Sequence, residues 1–256
     1  MRIYKEADKK AYAKMTPKQQ FYEENKPISP IEHAIRRRKF DALLSITGRI
    51  KDKLVLSVGC AGGMDCEWIS LEGANTVGID VSGELIKIAK KRMRKKKLNF
   101  KLLIGDMENL PFKFESFDTI ITYDSLHHAD DIHKTLLEIN RITRNFIGIV
   151  EPNKYCLTRK IANIFFKRLL MEHCGLPTKA YDILFYLREF SRSNFIIKNY
   201  LFCNIMPPEL CTSKFNISYN FLGPLILRLT PAMDKLFEML FPYSCSACVI
   251  VGRKMV

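Results

Sequence analysis

The chain has one tryptophan, Trp68, and no apolar run near the ~20 residues that span a bilayer; stretches such as FLGPLILRL at 221–229 are the longest. A membrane-spanning helix is therefore excluded, although contact with a membrane surface is not. No internal repeat or low-complexity tract is visible. Zinc-ligand spacing is missing as well. The eight cysteines are scattered, and the one C-x-x-C, Cys245 to Cys248, lies inside the apolar run CSACVIVG with no second pair or histidine cluster beside it, so no metal site is expected. Acidic residues are in short supply, 27 against 41 Lys and Arg, giving +14. That excess raises an anionic partner such as RNA, acidic lipid or a nucleotide-like ligand without choosing among them. The start is charged and unlike a signal peptide, and the cysteine usage fits reduced thiols, which together predict a cytoplasmic protein.

A core is well provided for. At 256 residues, 47% hydrophobic and 11% aromatic, the chain suits one large domain or one domain with an insertion, which excludes disorder and disulfide-scaffold classes. Residues 1–28 are polar and basic with interspersed tyrosines and read as a helical arm. Ser29-Pro30-Ile31-Glu32 carries an N-cap serine, a proline at the first helical position and an acid three residues after the cap, predicting a helix over about 30–48 that Gly48 stops.

From 53 onward, short apolar runs alternate with amphipathic stretches: LVLSVG (54–59), TVGID (76–80), FKLLIGD (100–106), FDTIITY (117–123) and FIGIVE (146–151). Such spacing predicts parallel strands buried on both faces and joined by crossover helices, hence a doubly wound α/β sheet. Later come a helix at about 154–173, a strand candidate FIIKNYLF (195–202) and a terminal one at 246–254, for seven strands in all. The predicted organisation is an N-terminal arm and helix (1–52), a ligand-binding core (53–153), and a C-terminal part of the same domain (154–256) with an apolar lid over 154–243.

In open α/β sheets ligands lie beyond the carboxyl ends of the strands, so the strand ends are the places to look for chemistry. The first run ends in Gly59-Cys60-Ala61-Gly62-Gly63, where missing side chains let backbone approach a ligand. The second ends in Asp80, 21 residues after Gly59, suited to the two hydroxyls of a ribose. The third ends in Gly105-Asp106-Met107, and the fourth in Tyr123-Asp124 before Ser125-Leu126-His127-His128. The nicotinamide fingerprint G-x-G-x-x-G wants a third small residue where Met64 stands.

The motifs VLSVGCAGG, VGID, GDMENLPF, FDTIITYDSLHHADD and IVEPN resemble, in that order, the class I S-adenosylmethionine-dependent methyltransferases of the small-molecule, type-11 branch. The resemblance covers about residues 53–153. It implies a Rossmann-like, mostly parallel seven-stranded sheet with S-adenosyl-L-methionine as cofactor. Gly59, Cys60, Ala61 and Gly63 would line the methionine moiety, Asp80 and the adjoining Val81 would meet the ribose, Asp106 and Met107 would frame the adenine, and Tyr123 would lie beside the sulfonium. The family usually has an acid where this chain has Ser57 and a glycine where it has Ala61; Asp65 or Asp124 is placed to compensate for Ser57.

Methyl transfer from a sulfonium is an in-line displacement that requires no nucleophilic residue, and a hydroxyl acceptor would call for a base, for which His127 and His128 are the candidates. The aromatic and aliphatic content of 154–243 predicts a small, hydrophobic acceptor such as a lipid, a quinone or a polyketide-like molecule. Nucleic-acid methylation is the alternative the charge suggests, and a catalytically inactive cofactor-binding partner subunit is the alternative Ser57 suggests. The basic runs at 36–39 and 87–101 read as wet helix faces, the first also as a place to meet an anionic substrate.

Overall fold

The computed structural model describes residues 3–27, 29–165, 179–204 and 223–255. Much of the expected lid, at 166–178 and 205–222, lies outside the described residues.

Before the first strand come three helices, α1 (Ile3–Ala13), α2 (Pro17–Asn25) and α3 (Pro30–Thr47). Ser29 caps α3 by accepting from the Glu32 amide, Pro30 opens it, and Gly48 ends it in a left-handed conformation that a side chain would resist. Then follow β1 (Leu54–Val58), α4 (Met64–Leu71), β2 (Asn75–Asp80), α5 (Gly83–Lys95), β3 (Lys101–Ile104), β4 (Phe117–Tyr123), a 3-10 turn (Leu126–His128), α6 (Ile132–Ile142) and β5 (Thr143–Pro152). The described remainder is α7 (Leu157–Phe165), α8 (Ile183–Arg192), β6 (Phe195–Cys203), α9 (Gly223–Leu240) and β7 (Ala247–Lys254).

The strands form one seven-stranded sheet in the order β3-β2-β1-β4-β5-β7-β6. The first five run parallel, and β7 inserts antiparallel between β5 and β6. This is the doubly wound α/β class, and strand order reverses between β1 and β4. Alternation along each strand feeds two cores. Leu56, Ile120, Ile149 and Ile250 face α6 and α8, whereas Val55, Ile121, Val150 and Val249 face α3 and α4. The sequence reading left α8 unrecognised as a helix. Tyr186 and Phe190, one turn apart, are buried on its inner face, and Asp182 caps it by accepting from the Phe185 amide at 2.9 Å.

Two basic runs depart from a purely solvated reading. On α5 the apolar spacing of Leu85, Ile88, Ala89 and Met93 predicts the inner face; Leu85, Ile88 and Ala89 are buried and Met93 partly so, and Ile86 and Arg92 are buried with them. Its guanidinium donates to the carbonyls of Gly62, Glu23 and Lys26 and pairs with Glu67, tying α2 to the loop after β1. On α3, Arg36 and Lys39 are buried while Arg37 and Arg38 remain partly exposed.

Candidate active site

The parallel strands β1, β2, β4 and β5 end side by side at one edge of the sheet, where open α/β sheets form their ligand cleft. After β1 the chain turns through three residues with positive φ, Gly59 (71°), Ala61 (43°) and Gly63 (78°). A Cβ on Gly59 would stand 2.5 Å from the Ser125 Cβ, so only glycine fits beneath the loop that follows β4. Ser125 itself is fastened by its hydroxyl, which donates to the Val58 carbonyl at 2.8 Å.

Asp80, at the end of β2, braces this turn from the side. One carboxylate oxygen accepts from the Ala61 amide at 2.9 Å and the other from the Ser82 amide at 2.8 Å. Burial raises its pKa against those two bonds, which lower it. Met107 reaches toward Gly59 from the loop after β3, its terminal methyl 3.5 Å from where a Gly59 Cβ would be. Asp106 beside it is half-buried. Burial pushes its carboxyl up, but the Lys5 ammonium, donating at 2.6 Å, and the Glu108 amide prevail and hold it below its ordinary value.

Ser57 and Asp65 meet inside β1 and the first turn of α4. The Ser57 hydroxyl donates to Asp65 Oδ2, and Asp65 Oδ1 accepts from the Cys66 amide at 2.9 Å. Burial pushes the Asp65 carboxyl up to about 6. An acid thus stands within hydrogen-bond reach of position 57, delivered from eight residues downstream.

At the far side of the cleft, Glu151 at the end of β5 gathers the loop after β4. Its fully buried carboxylate accepts from the amides of Ser125 (3.1 Å), Leu126 (2.8 Å) and His127 (3.3 Å), and from His127 Nδ1 at 2.6 Å. Because the carboxylate only accepts, the proton of this imidazole sits on Nδ1, and Nε2 is the ring atom left with a basic lone pair. His128 lies 4.3 Å from His127 ring to ring, and its Nδ1 donates to Asp8 at 2.8 Å. With Lys5 on Asp106 and Asp8 on His128, α1 lies across the strand ends.

The structure therefore brings Gly59, Ala61, Asp80, Met107, Asp106, His127 and His128 to one place, while Cys60 turns its thiol beneath the loop against Cys66 and Gly78. Tyr123 is different. Its ring packs edge-on against Trp68 at 6.1 Å, and its hydroxyl donates to the Arg36 carbonyl at 2.8 Å, so only its backbone borders the cleft. Among the described residues no group of three or more His, Cys, Asp or Glu is placed to hold a metal ion. Glu151, Asp8 and Lys5 were missed as site residues. Glu151 carried a signal, an acid ending an apolar strand just as Asp80 does; the two arm residues carried none.

A methyltransferase domain model of type 11 matches residues 56–145. A ubiquinone biosynthesis O-methyltransferase of Coxiella burnetii is 32% identical over 103 residues, 40% of this chain and 41% of the relative. A phthiotriol/phenolphthiotriol dimycocerosates methyltransferase of Mycobacterium tuberculosis is 36% identical over 94 residues, 36% of this chain and 34% of the relative. The chain thus spans about two fifths or less of the length of these curated relatives. A SAM-dependent methyltransferase from Aquifex aeolicus superposes with a TM-score of 0.60 at 14% identity, covering 94% of this chain and 100% of that one, which shows the shared fold.

Proposed function

We propose that this chain, whose residues 56–145 match a methyltransferase domain model of type 11, is an S-adenosylmethionine-dependent methyltransferase of class I whose cleft at the ends of β1, β2, β4 and β5 transfers a methyl group to a small, hydrophobic acceptor. The observation that carries this reading is the pair of buried carboxyls, Asp80 and Asp65, that flank a turn in which a Cβ at Gly59 has no room. Each carboxyl already accepts two hydrogen bonds, but neither has a cation in ion-pair contact among the described residues, and the cofactor offers an ammonium at its amino-acid end and two ribose hydroxyls. The residues present therefore fit the group.

In this reading Gly59, Cys60, Ala61 and Gly63 give the backbone that borders the amino-acid end, and Asp65 with Ser57 receives the ammonium. Asp80 takes the ribose, with Val81 adjoining, and Asp106 and Met107 frame the adenine. S-adenosylmethionine supplies an electrophilic methyl on its sulfonium when bound. The chain's own work is to hold the acceptor in line with that methyl, keep water out, and take a proton from a hydroxyl acceptor on His127 Nε2. Glu151 fixes the tautomer by holding a proton on Nδ1, and its negative charge would stabilise the imidazolium formed when Nε2 takes the acceptor's proton. His128, engaged with Asp8, links the same turn to α1.

The hydrophobic acceptor is supported by the curated relatives, whose names place one in ubiquinone biosynthesis and the other on phthiotriol/phenolphthiotriol dimycocerosates. It is also supported by the stacked Tyr181 and Phe185, 4.2 Å apart, at the start of α8. A specific observation favours contact with a lipid surface as well: Leu157, Ile161 and Ile164 form an exposed apolar stripe on α7, flanked by Lys154 and Lys160. Co-sedimentation with liposomes checks that contact.

The cofactor site is tested by thermal unfolding with S-adenosylhomocysteine. A ligand bound only by the folded state adds about 2.7 kcal/mol at a hundredfold excess over Kd. The wild type should shift upward, and Asp80→Asn should lose most of that shift. No shift in wild type at millimolar ligand would sink the reading and favour an inactive partner subunit.

A further inference from the structure

The methyltransferase reading leaves two buried cations without a task. Lys39, on α3, is 1% exposed and Arg36, one turn earlier, 5%. Both approach the same atom, Asp124 Oδ2, the ammonium at 3.5 Å and the guanidinium Nη1 at 3.6 Å. Arg36 has other anchors: its Nε donates to Glu32 at 2.8 Å, and its Nη2 donates to the Tyr22 hydroxyl at 3.4 Å. Lys39 is less well served. An ammonium carries three donors, and charge-assisted bonds of this kind close to about 2.7–2.9 Å, yet among the described residues Lys39 has one carboxylate contact, stretched to 3.5 Å. Burying an ammonium is costly unless it is well paired, and the one carboxylate near Lys39 is both distant and shared with Arg36, whose close partner is Glu32.

The place of the pair in the sheet indicates what completes it. Asp124 follows β4 directly, in the left-handed conformation with φ of 49°. Its carboxyl would be pushed up by burial, but Lys39, Arg36, His127 and Arg159 together hold it below its ordinary value. Those neighbours tie it to the turn that carries the candidate base. The charge of Lys39 also reaches Cys203, the last residue of β6, and Cys248 in β7. The ammonium therefore looks onto the β4-β5-β7-β6 half of the sheet. The acids assigned to ribose and adenine, Asp80 and Asp106, belong to the opposite half, at the ends of β2 and β3.

We propose that Lys39 and Arg36, converging on Asp124 at the carboxyl end of β4, form a subsite for a carboxylate carried by the methyl acceptor. The acceptor is then an amphiphilic acid, its apolar body toward the aromatic side of the cleft and its anion on α3, which fixes which of its atoms faces the methyl group. This deepens the methyltransferase reading and rests on it for the identity of the ligand on this half of the sheet. Asp124 acts as the internal competitor: it holds the two cations apart from each other until a better-fitting anion arrives.

The test is calorimetric titration of benzoate and of its neutral isostere benzamide into the full chain saturated with S-adenosylhomocysteine. Wild type is expected to bind benzoate at least tenfold more tightly than benzamide. Lys39→Met should abolish that ratio, and Asp124→Asn should widen it, a gain that loss of structure does not produce. Should Lys39→Met fail to fold, the Asp124→Asn ratio decides alone. Equal binding of the two probes by wild type, or a ratio that Lys39→Met leaves unchanged, overturns the subsite. If Lys39→Met weakens S-adenosylhomocysteine tenfold but leaves 5′-methylthioadenosine untouched, the carboxylate belongs to the cofactor and the assignment to the acceptor is overturned. Absence of S-adenosylhomocysteine binding in wild type strikes the methyltransferase reading instead, and the benzoate ratio on the free protein still decides the subsite.

Discussion

Glu151 meets four donors with two oxygens, three backbone amides and one imidazole, and each oxygen accepts two of them. A glutamine there must turn an amide nitrogen toward two donors, leaving buried groups unpaired at about 1–3 kcal/mol and freeing the His127 ring from its fixed tautomer. Glu151→Gln should therefore lower kcat far more than it raises KM for the acceptor, and shift the acid limb of the pH profile. His127→Ala should cost on the order of 10²–10⁴ in rate with little change in S-adenosylhomocysteine affinity. A kcat that both variants leave intact would remove His127 as the base. Asp65 makes a second prediction, with a sign. Its carboxyl is raised from 3.8 to about 6 in the fold, so the folded state binds the extra proton and stability is lost as pH climbs from about 4 through about 6. Asp65→Asn should not show that loss, and its Tm should gain on wild type across the same window. Ligand affinity runs the other way, because the ionised carboxylate receives the ammonium: wild type should lose S-adenosylhomocysteine about tenfold per pH unit below 6, and Asp65→Asn should show no such slope. Some of this residue-level detail was legible. The departure at Ser57 pointed to a substitute acid, and Asp65 lies in the first turn of the helix that follows the loop. The orientation of the Tyr123 side chain was legible too: strand residues alternate, so Tyr123 shares a face with Ile121, and that face looks at α3 and Trp68.

On the scale of elements, periodicity located the inner strands because they are largely buried on both faces and carry apolar runs; β3, expected to be buried on both faces like them, is an edge strand and is partly exposed, as is β6 at the other edge. Charge was harder to read. Arg92 on α5 and Arg36 and Lys39 on α3 stand in runs of lysine and arginine whose other members are exposed or partly so, and what buries these three is a partner distant in sequence, the Gly62 carbonyl in one case and Asp124 in the other. A local pattern holds no record of such a partner. The arm was legible only as helical. Its placement depends on Lys5 and Asp8, one turn apart on α1, reaching Asp106 and His128 across more than a hundred residues. An element held over a cleft by an ion pair and a side-chain hydrogen bond is expected to open locally when the cleft is empty and to tighten when a ligand fills the space beneath it. Amide hydrogen exchange across residues 5–13 should therefore slow on addition of S-adenosylhomocysteine, whereas exchange in α8, on the other side of the sheet, should not change. Equal effects at both helices would mean global stabilisation and would remove α1 as a cover.

The molecule as a whole is governed by where its last strand goes. Nothing in the run SACVIVGRK says that it pairs with β5 on one edge and β6 on the other, because neighbours in a sheet are chosen by long-range packing and not by the local pattern. Yet Val249, Ile250 and Val251 are completely buried, the first and last in the core under α3 and the middle one in the core under α8. Both hydrophobic layers therefore close only when the eight residues of β7 are in place, and β6 has no other partner among the described strands. The predicted division at 153, with the cofactor residues all on its near side, is then not a division of stability. A chain ending at 246 retains every candidate site residue from Gly59 to Glu151, but it leaves β5 with an unpaired inner edge and the β5 side of both cores open to water. It should lose its cooperative thermal transition and fail to bind S-adenosylhomocysteine. If instead it melts cooperatively and binds ligand as the full chain does, residues 53–153 form a self-sufficient unit, and the segment after 154 acts on the acceptor alone.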